Sequence, residues 1–435
     1  MIVRLEDQDV SVHALRMRQL IDDIKLEHPK VEKGVVLLVA NFEEERYHFR
    51  QESSFYYLTG IQEPGAVALI DLNGSSATLM LPHFVGNRTQ WVYQPYELTK
   101  EIVQQLGFHD IQTLGEPCTG YQSHPFFDKQ DYAKLLERLE KVISEGGTIF
   151  TVYPPSAYGY VYQRIIIDRL KGLLPSLASH IVDISRVVAN LRRSKDMREI
   201  ETMYKAVHIT MLAQEAAAKT IQANVPECQV QATIEYVFTG SGGHAAFPSI
   251  VGSGKYSTVL HYNVNNEVLK DGDLVVVDIG AEYNYYCADL TRTYPVSGKF
   301  TVRQKEIYSI VLDAQKYIAS IAKPGFWLSS KNHPEKSLNH LAHKYIEERG
   351  YGKYFPHNIG HFLGLEVHDV GDYEKPLEEG DVITIEPGIY IAEENLGVRI
   401  EDNYWVVEDG IVCLSEELPK EPEDIELFMA EAKVS

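Results

Sequence analysis

Two stretches of this chain place acids where acids are expensive. In DLVVVDIGAEYNYYCADLTRTY, residues 273–294, Asp278 follows three valines and precedes Ile279. In TIEPGIYIAEENLGVRIED, residues 384–402, Glu386 and Glu401 each lie within an apolar run. Short apolar runs of this kind read as buried strands. An unpartnered carboxylate in such a strand costs several kcal/mol or takes up a proton. If the first stretch turns at Tyr283-Asn284, Asp278 falls directly opposite Asp289, and paired residues of an antiparallel ladder share a face. A turn at Glu393-Glu394 sets Glu386 opposite Glu401 in the same way. Facing carboxylates repel unless one keeps a proton or a cation lies between them. Either pair alone reads more readily as solvated acids beside a loop. Two such hairpins argue against coincidence, and four converging carboxylates call for about four positive charges.

The hairpins sit in a repeating order. Helical periodicity covers 195–220, where Ile200, Met203, Tyr204 and Val207 share a face, and a second helix is expected at 227–238 after Pro226. Strands are expected at 273–280 and 285–294. The order then returns. Ile307, Ile310, Val311, Ala314, Tyr317, Ile318 and Ile321 stripe a helix over 303–322, another helix covers 335–349 before Gly350, and strands follow at 382–392 and 397–407. Two halves of helix–helix–strand–strand imply an internal pseudo-two-fold repeat.

The first part of the chain has another rhythm. A helix is expected at 10–27, apolar strand runs at 34–40, 66–73, 76–82 and 147–154, and helices at 130–144 and 159–174. This alternation predicts an α/β domain over 1–175, without a cluster of metal-ligand residues, and 180–435 forms the second domain. A chain of 435 residues is long enough for both.

Charge and cysteine usage bound the partners. A net charge of −21 argues against nucleic acid, because neutralising phosphates takes a basic surface. Cys118, Cys228, Cys287 and Cys413 are far apart, so neither a disulfide framework nor a thiolate zinc site is expected. No apolar run approaches the roughly 18 residues of a membrane span. The charged N-terminal stretch lacks the apolar core of a signal peptide. The expectation is a cytoplasmic protein that binds no membrane.

Histidine supplies a further ligand type. FPHNIGHFLGLEVHD, residues 355–369, carries His357, His361 and His368 among glycines. A lone histidine in an apolar segment is usually a hydrogen-bonded core residue. Three beside a carboxylate pair shift the reading toward a site. Hard oxygen donors with one imidazole suit manganese, with zinc or cobalt as alternatives. Carboxylates can bridge, so two divalent ions are expected, with a water between them acidified into a nucleophile. Other templates fail. GSGK at 252–255 lacks the first glycine and the Ser/Thr of a P-loop, and neither GxSxG nor GxGxxG occurs.

With those residues in view, the chain resembles the pita-bread metallopeptidases. HFLGLEVHDVG, TIEPGIY and VRIED are similar to the proline-directed branch that includes aminopeptidase P and prolidase, as is the N-terminal RQESSFYYLTGIQEPGAVALID. KEPEDIELFM, near the C-terminus, resembles aminopeptidase P more. The resemblance implies an α/β N-terminal domain for oligomerisation and site covering, before an α+β pita-bread (creatinase/aminopeptidase-like) catalytic domain. It implies Asp278 and Glu401 as bridging ligands, Asp289 on one ion, and His361 and Glu386 on the other, with Glu386 also handling protons. His261 and His368 would bind substrate and stabilise the tetrahedral intermediate. His357, Tyr390 and Arg399 would line a proline pocket, Tyr373 would stand at the site edge, and Thr291 could orient Asp289. Phe247 departs from relatives that carry tyrosine there, which bears on recognition of the first substrate residue. The implied reaction is release of the N-terminal residue from peptides with proline at position two, by attack of a metal-bridging hydroxide. A prolidase acting on Xaa-Pro dipeptides is the near alternative, and an inactive binding scaffold a distant one. A homodimer or homotetramer is expected.

Overall fold

The computed structural model describes residues 10–43, 48–85, 88–92, 98–118, 120–122, 124–154 and 160–432. The chain divides into two compact units between Arg192 and Arg193.

In the first unit the apolar runs become β1 (Gly34–Val39), β2 (Val67–Asp71), β3 (Ala77–Leu81) and β5 (Thr148–Thr151), joined by β4 (Asp110–Thr113) and β6 (Ile181–Asp183). They form one sheet in the order β4-β3-β2-β1-β5-β6. Its helices are α1 (Val10–Glu27), α2 (Ser53–Thr59), α3 (Lys100–Gln105), α4 (Ala133–Ser144), α5 (Val161–Leu173) and α6 (Ser185–Arg193). Residue 159, where the last predicted helix of this unit was to begin, lies outside the described residues. Val35, Leu37 and Val39 of β1 share a core with Leu135 and Leu139 of α4 and Ile166 and Leu170 of α5. Strands covered on both faces lose polar alternation, which is why these runs are continuously apolar. β6 pairs in parallel with β5, so residues 181–183 belong to this sheet. The division therefore falls later than the 175–180 interval expected from sequence.

The second unit follows the predicted repeat. Its first half has α7 (Met197–Thr220), α8 (Glu227–Gly240), β7 (His244–Ala245), β8 (Ile250–Ser253), β9 (Leu274–Ile279), β10 (Ala281–Tyr283), β11 (Tyr286–Cys287) and β12 (Leu290–Pro295). The second half has α9 (Val302–Ile321), α10 (Leu338–Glu347), β13 (Val382–Ile385), β14 (Gly388–Ile391), β15 (Leu396–Arg399), β16 (Asp402–Val407) and β17 (Gly410–Cys413), closed by α11 (Pro422–Ala432). The leading helix of each half opens with a capping box, Asp196 with Glu199 on α7 and Thr301 with Gln304 on α9. One apolar core joins them. Val275 and Val277, Ile383 and Ile385, Ala213 and Ala217 of α7, and Val311 and Ala314 of α9 all lie in it. This α+β architecture holds both acid-bearing hairpins within one unit. Among the described residues no helix is long and apolar enough to cross a membrane.

Candidate metal centre

Each hairpin delivers its acids through its turn. The first turns at Asn284-Tyr285, whose φ angles of 48° and 71° are those of a left-handed two-residue turn. The expected centre was one residue earlier. Asp278 therefore pairs with Thr291, not with Asp289. Moving the turn by one residue moves the partner by two, and the side-chain period of a strand is also two. Asp289 thus keeps the face of Asp278 although it is no longer directly across from it. In the second hairpin the expected register holds. Ile385 pairs with Asp402 and Gly388 with Arg399, so Glu386 and Glu401 lie opposite each other where the ladder splits into two small sheets. A bridge from Thr291 to Glu401, with the Glu401 amide donating to the Thr291 carbonyl at 3.0 Å, ties one hairpin to the other.

His361 arrives along β13. The Glu386 amide donates to Ile359 O, the Thr384 amide to His361 O, and the Leu363 amide to Val382 O, at 2.8 to 2.9 Å. Gly360 makes this approach possible, since a Cβ there would stand 2.1 Å from the Thr384 carbonyl oxygen. The His361 Nδ1–Phe362 O contact of 3.0 Å makes Nδ1 a donor to that carbonyl and leaves Nε2 turned to the acids. Nε2 lies 3.4 Å from Asp289 Oδ2 and 3.7 Å from Glu386 Oε1. One ligand atom each from Asp289, His361 and Glu401 fall within 4.8 Å of one another.

The charge balance in this cluster is incomplete. Among the described residues, Asp278, Asp289, Glu386 and Glu401 face one guanidinium, that of Arg399, whose Nη2 lies 2.6 Å from Asp278 Oδ2. Asp278 Oδ1, Asp289 Oδ1 and Glu401 Oε1 are buried without a hydrogen-bond partner among the described residues. Orphaned anionic oxygens of this kind are costly unless a cation takes them up. The same strain raises their proton affinity. Burial, then the charge of Asp278, pushes Asp289 up to about 7. Burial also lifts Glu386 to about 7, against the pull of His361 and Arg399. Burial and three acid neighbours hold Glu401 well above the carboxylate range. His361 is lowered by burial, but Asp289 and Glu386 outweigh that and carry it up to about 9. Protons occupy positions that a divalent ion would fit. The donor set, carboxylate oxygens with one neutral imidazole nitrogen, suits such an ion.

The other expected residues surround this cluster. The His368 ring centroid is 4.2 Å from that of His361. Desolvation, His361 and His261 hold His368 down to about 4, which also puts His261 within electrostatic reach of it. His357 Nε2 meets the Tyr390 hydroxyl at 2.9 Å, and Arg399 Nη1 donates to the same oxygen at 2.9 Å. Desolvation and Arg399 lower His357 to about 4. Tyr373 stands at the rim, edge-on to Phe362 and exposed. Phe247 lies over Gly280, where an added Cβ would meet its ring at 2.7 Å. Thr291 does not orient Asp289. Its hydroxyl donates to Glu401 Oε2 at 2.8 Å.

Asn403, which sequence reasoning passed over, has the part expected of Thr291. Its amide accepts from the Asp289 amide at 3.1 Å and donates to the Asp289 carbonyl at 2.5 Å. The only signal was an amide two residues after an acid in an apolar strand. Arg399 also does more than expected, since it neutralises Asp278 as well as meeting Tyr390.

Comparison with known proteins places the chain in a family. The family described as metallopeptidase family M24 matches residues 201–408, a span that holds all five candidate ligands. The aminopeptidase P, N-terminal domain, matches residues 13–117. The chain is 33% identical over 430 residues to Xaa-Pro aminopeptidase of Haemophilus influenzae, covering 91% of this chain and 93% of that protein. It is 42% identical over 232 residues to Xaa-Pro dipeptidase of Pyrococcus furiosus, covering 52% of this chain and 64% of that protein. Proline aminopeptidase P II from Yersinia pestis superposes with a TM-score of 0.80 at 26% identity, covering 98% of this chain and 100% of that one.

Proposed function

The chain belongs to metallopeptidase family M24, in its aminopeptidase P branch, and on that premise we propose that it is a dinuclear-metal Xaa-Pro aminopeptidase. One observation carries this reading. Both units are similar to an Xaa-Pro aminopeptidase over nearly the whole length of each chain, whereas the dipeptidase match takes in about half of this one. An inactive scaffold is disfavoured by the filled ligand set and its orphaned oxygens.

Asp278, Asp289, His361, Glu386 and Glu401 are the side chains that would hold the two ions. When bound, the ions supply an activated water and polarise the substrate carbonyl. The chain's own groups do the rest. Glu386, placed among the ligands beside His361, would take the proton from the attacking water and carry it toward the leaving nitrogen. His368, neutral near pH 7, offers a ring N–H to the developing oxyanion, with His261 beside it. His357, Tyr390 and Arg399 form a linked wall for the proline ring, and Tyr373 closes the rim. An imide bond has no N–H, so a site that works on the carbonyl rather than on a backbone N–H suits it. Hard oxygen donors favour manganese, with zinc or cobalt as alternatives. We place the protein in the cytoplasm, where thiols such as Cys118, Cys228, Cys287 and Cys413 stay reduced. We further propose a homodimer or homotetramer, with the first unit serving oligomerisation and site covering.

The test is a panel of Xaa-Pro, Xaa-Pro-Yaa-Zaa and Xaa-Ala-Yaa-Zaa peptides with the manganese-loaded full chain. Release of Xaa from the proline-containing tetrapeptide is expected. Activity confined to Xaa-Pro dipeptides would give the site to a prolidase instead, and no turnover of any peptide would favour the scaffold.

A further inference from the structure

Two glutamines, one from the leading helix of each half, grip the hairpins at matching places. Gln214 of α7 donates its side-chain amide to the carbonyls of Val277 and Leu290, at 3.1 and 2.9 Å. Val277 directly precedes Asp278, and Leu290 directly follows Asp289. Gln315 of α9 donates to the carbonyls of Ile385 and Ile400, at 3.2 and 3.3 Å. These directly precede Glu386 and Glu401. Both side chains are fully buried. Each spans its hairpin from the helix side, one strand to the other, next to the acids.

We infer that Gln214 and Gln315 are a matched pair of positioning residues that set the separation of the two acids in each hairpin, and hence the affinity of the centre for its ions. The inference rests on the metal reading above. The local geometry gives it three supports. A primary amide has two donor hydrogens on one rigid plane, so it can hold two carbonyls at a fixed spacing. The second hairpin splits into two sheets at Glu386 and Glu401, so the regular ladder does not fix the spacing there. Finally, the grips have different anchors. The Gln214 carbonyl accepts from the Tyr294 hydroxyl at 3.1 Å. The Gln315 amide nitrogen also lies 3.1 Å from Asp402 Oδ2, so one of its two hydrogens is shared between two of these three acceptors, and among the described residues its own carbonyl oxygen is buried without a hydrogen-bond partner. Different anchors with the same pair of carbonyl targets point to the targets as the shared purpose.

A helix glutamine can also simply satisfy buried carbonyls, so the test must separate positioning from stability. Gln304, on the same helix as Gln315, supplies the control. It caps the start of α9, and among the described residues its side chain bonds to the Thr301 amide and to Gly272 O at 2.9 and 2.8 Å rather than to a carbonyl beside a hairpin acid. The experiment titrates Mn²⁺ into metal-free full-length protein by calorimetry and records the melting temperature of the same metal-free samples, for wild type, Gln214→Met, Gln315→Met and Gln304→Met. The expected result is a loss of Mn²⁺ affinity of about tenfold or more in the first two variants, the scale seen when a supporting partner of a ligand is removed. Gln304→Met is expected to melt earlier with wild-type affinity. Wild-type affinity in both Gln214→Met and Gln315→Met, with only their melting changed, overturns the inference. If either methionine variant fails to fold, Gln214→Asn or Gln315→Asn replaces it, which keeps an uncharged amide but withdraws it from the two carbonyls, and unchanged affinity there is equally fatal. A wild-type chain that takes up no Mn²⁺ defeats the metal reading itself, a failure distinct from that of the glutamine pair.

Discussion

At the scale of single residues, the centre is a set of acids held in place at the expense of their own charge. Asp289 is 5% exposed and Glu401 1% exposed, and each has an oxygen without a partner. Asp289→Asn keeps the shape but gives up the anionic donor. Its turnover of an Xaa-Pro-Yaa-Zaa peptide is expected to fall by more than the roughly 100-fold that follows loss of a supporting partner. Near-normal kcat would contradict its ligand role. The proton affinities give a second expectation, for the metal-free protein. Asp289 and Glu386 are raised to about 7 and His361 to about 9. A group raised on folding contributes its full stability below its unfolded value and loses it as pH climbs through the folded one. His357 and His368, lowered to about 4, work in the opposite sense, but only below about 6.5. From pH 6.5 to 9, therefore, the signs agree. The metal-free melting temperature should fall across that window, and the rise produced by adding manganese should grow. A flat metal-free profile measured by calorimetry would count against the convergence of acids. The identities of the acids were legible because each interrupts an apolar run. The Asn403 clamp was not, since an amide in a strand is indistinguishable from a surface residue until its partner is known.

At the scale of elements, what the sequence shows depends on whether burial leaves a period. The helices α7 and α9 and the strand β9 carry long apolar patterns and lie within a few residues of expectation, whereas the strands expected at 382–392 and 397–407 each break in two, β13 from β14 at Glu386-Pro387 and β15 from β16 at Ile400-Glu401. The helix α2 was missed because all seven of its residues are buried, so it has no polar face to mark a period. The strands β4 and β6 were missed for the opposite reason. They are short, lie at the two edges of the sheet, and are mostly half-exposed. The first hairpin shows how an error of register can be harmless. A turn displaced by one residue still leaves Asp278 and Asp289 on one face, because the displacement of the partner equals the strand period. The close approach of the His361 segment to β13 is less forgiving. Gly360→Ala would drive a methyl group into the Thr384 carbonyl, which is backbone and cannot turn aside. Its effect should reach the adjacent ligand, His361. We expect Mn²⁺ affinity to drop about tenfold or more, read by calorimetry on the variant. Wild-type affinity would show that this approach does not position His361.

At the scale of the whole molecule, two units of different architecture share one chain, and all five candidate ligands come from the second. The pseudo-two-fold repeat explains why a constellation spread from residue 278 to residue 401 can be compact. Each half contributes one hairpin with two acids, and the Thr291–Glu401 bridge joins them. This arrangement was readable in outline, as two hairpins in two like halves. The bridge between them was not, because nothing in the local pattern of either hairpin encodes its contact with the other. Four converging acids and one imidazole serve to hold metal. Elemental analysis of the full chain, loaded with manganese and then freed of unbound ion, is expected to find about two ions per chain and a marked loss in Glu401→Gln; a folded wild-type chain that retains none would contradict a metal-holding role.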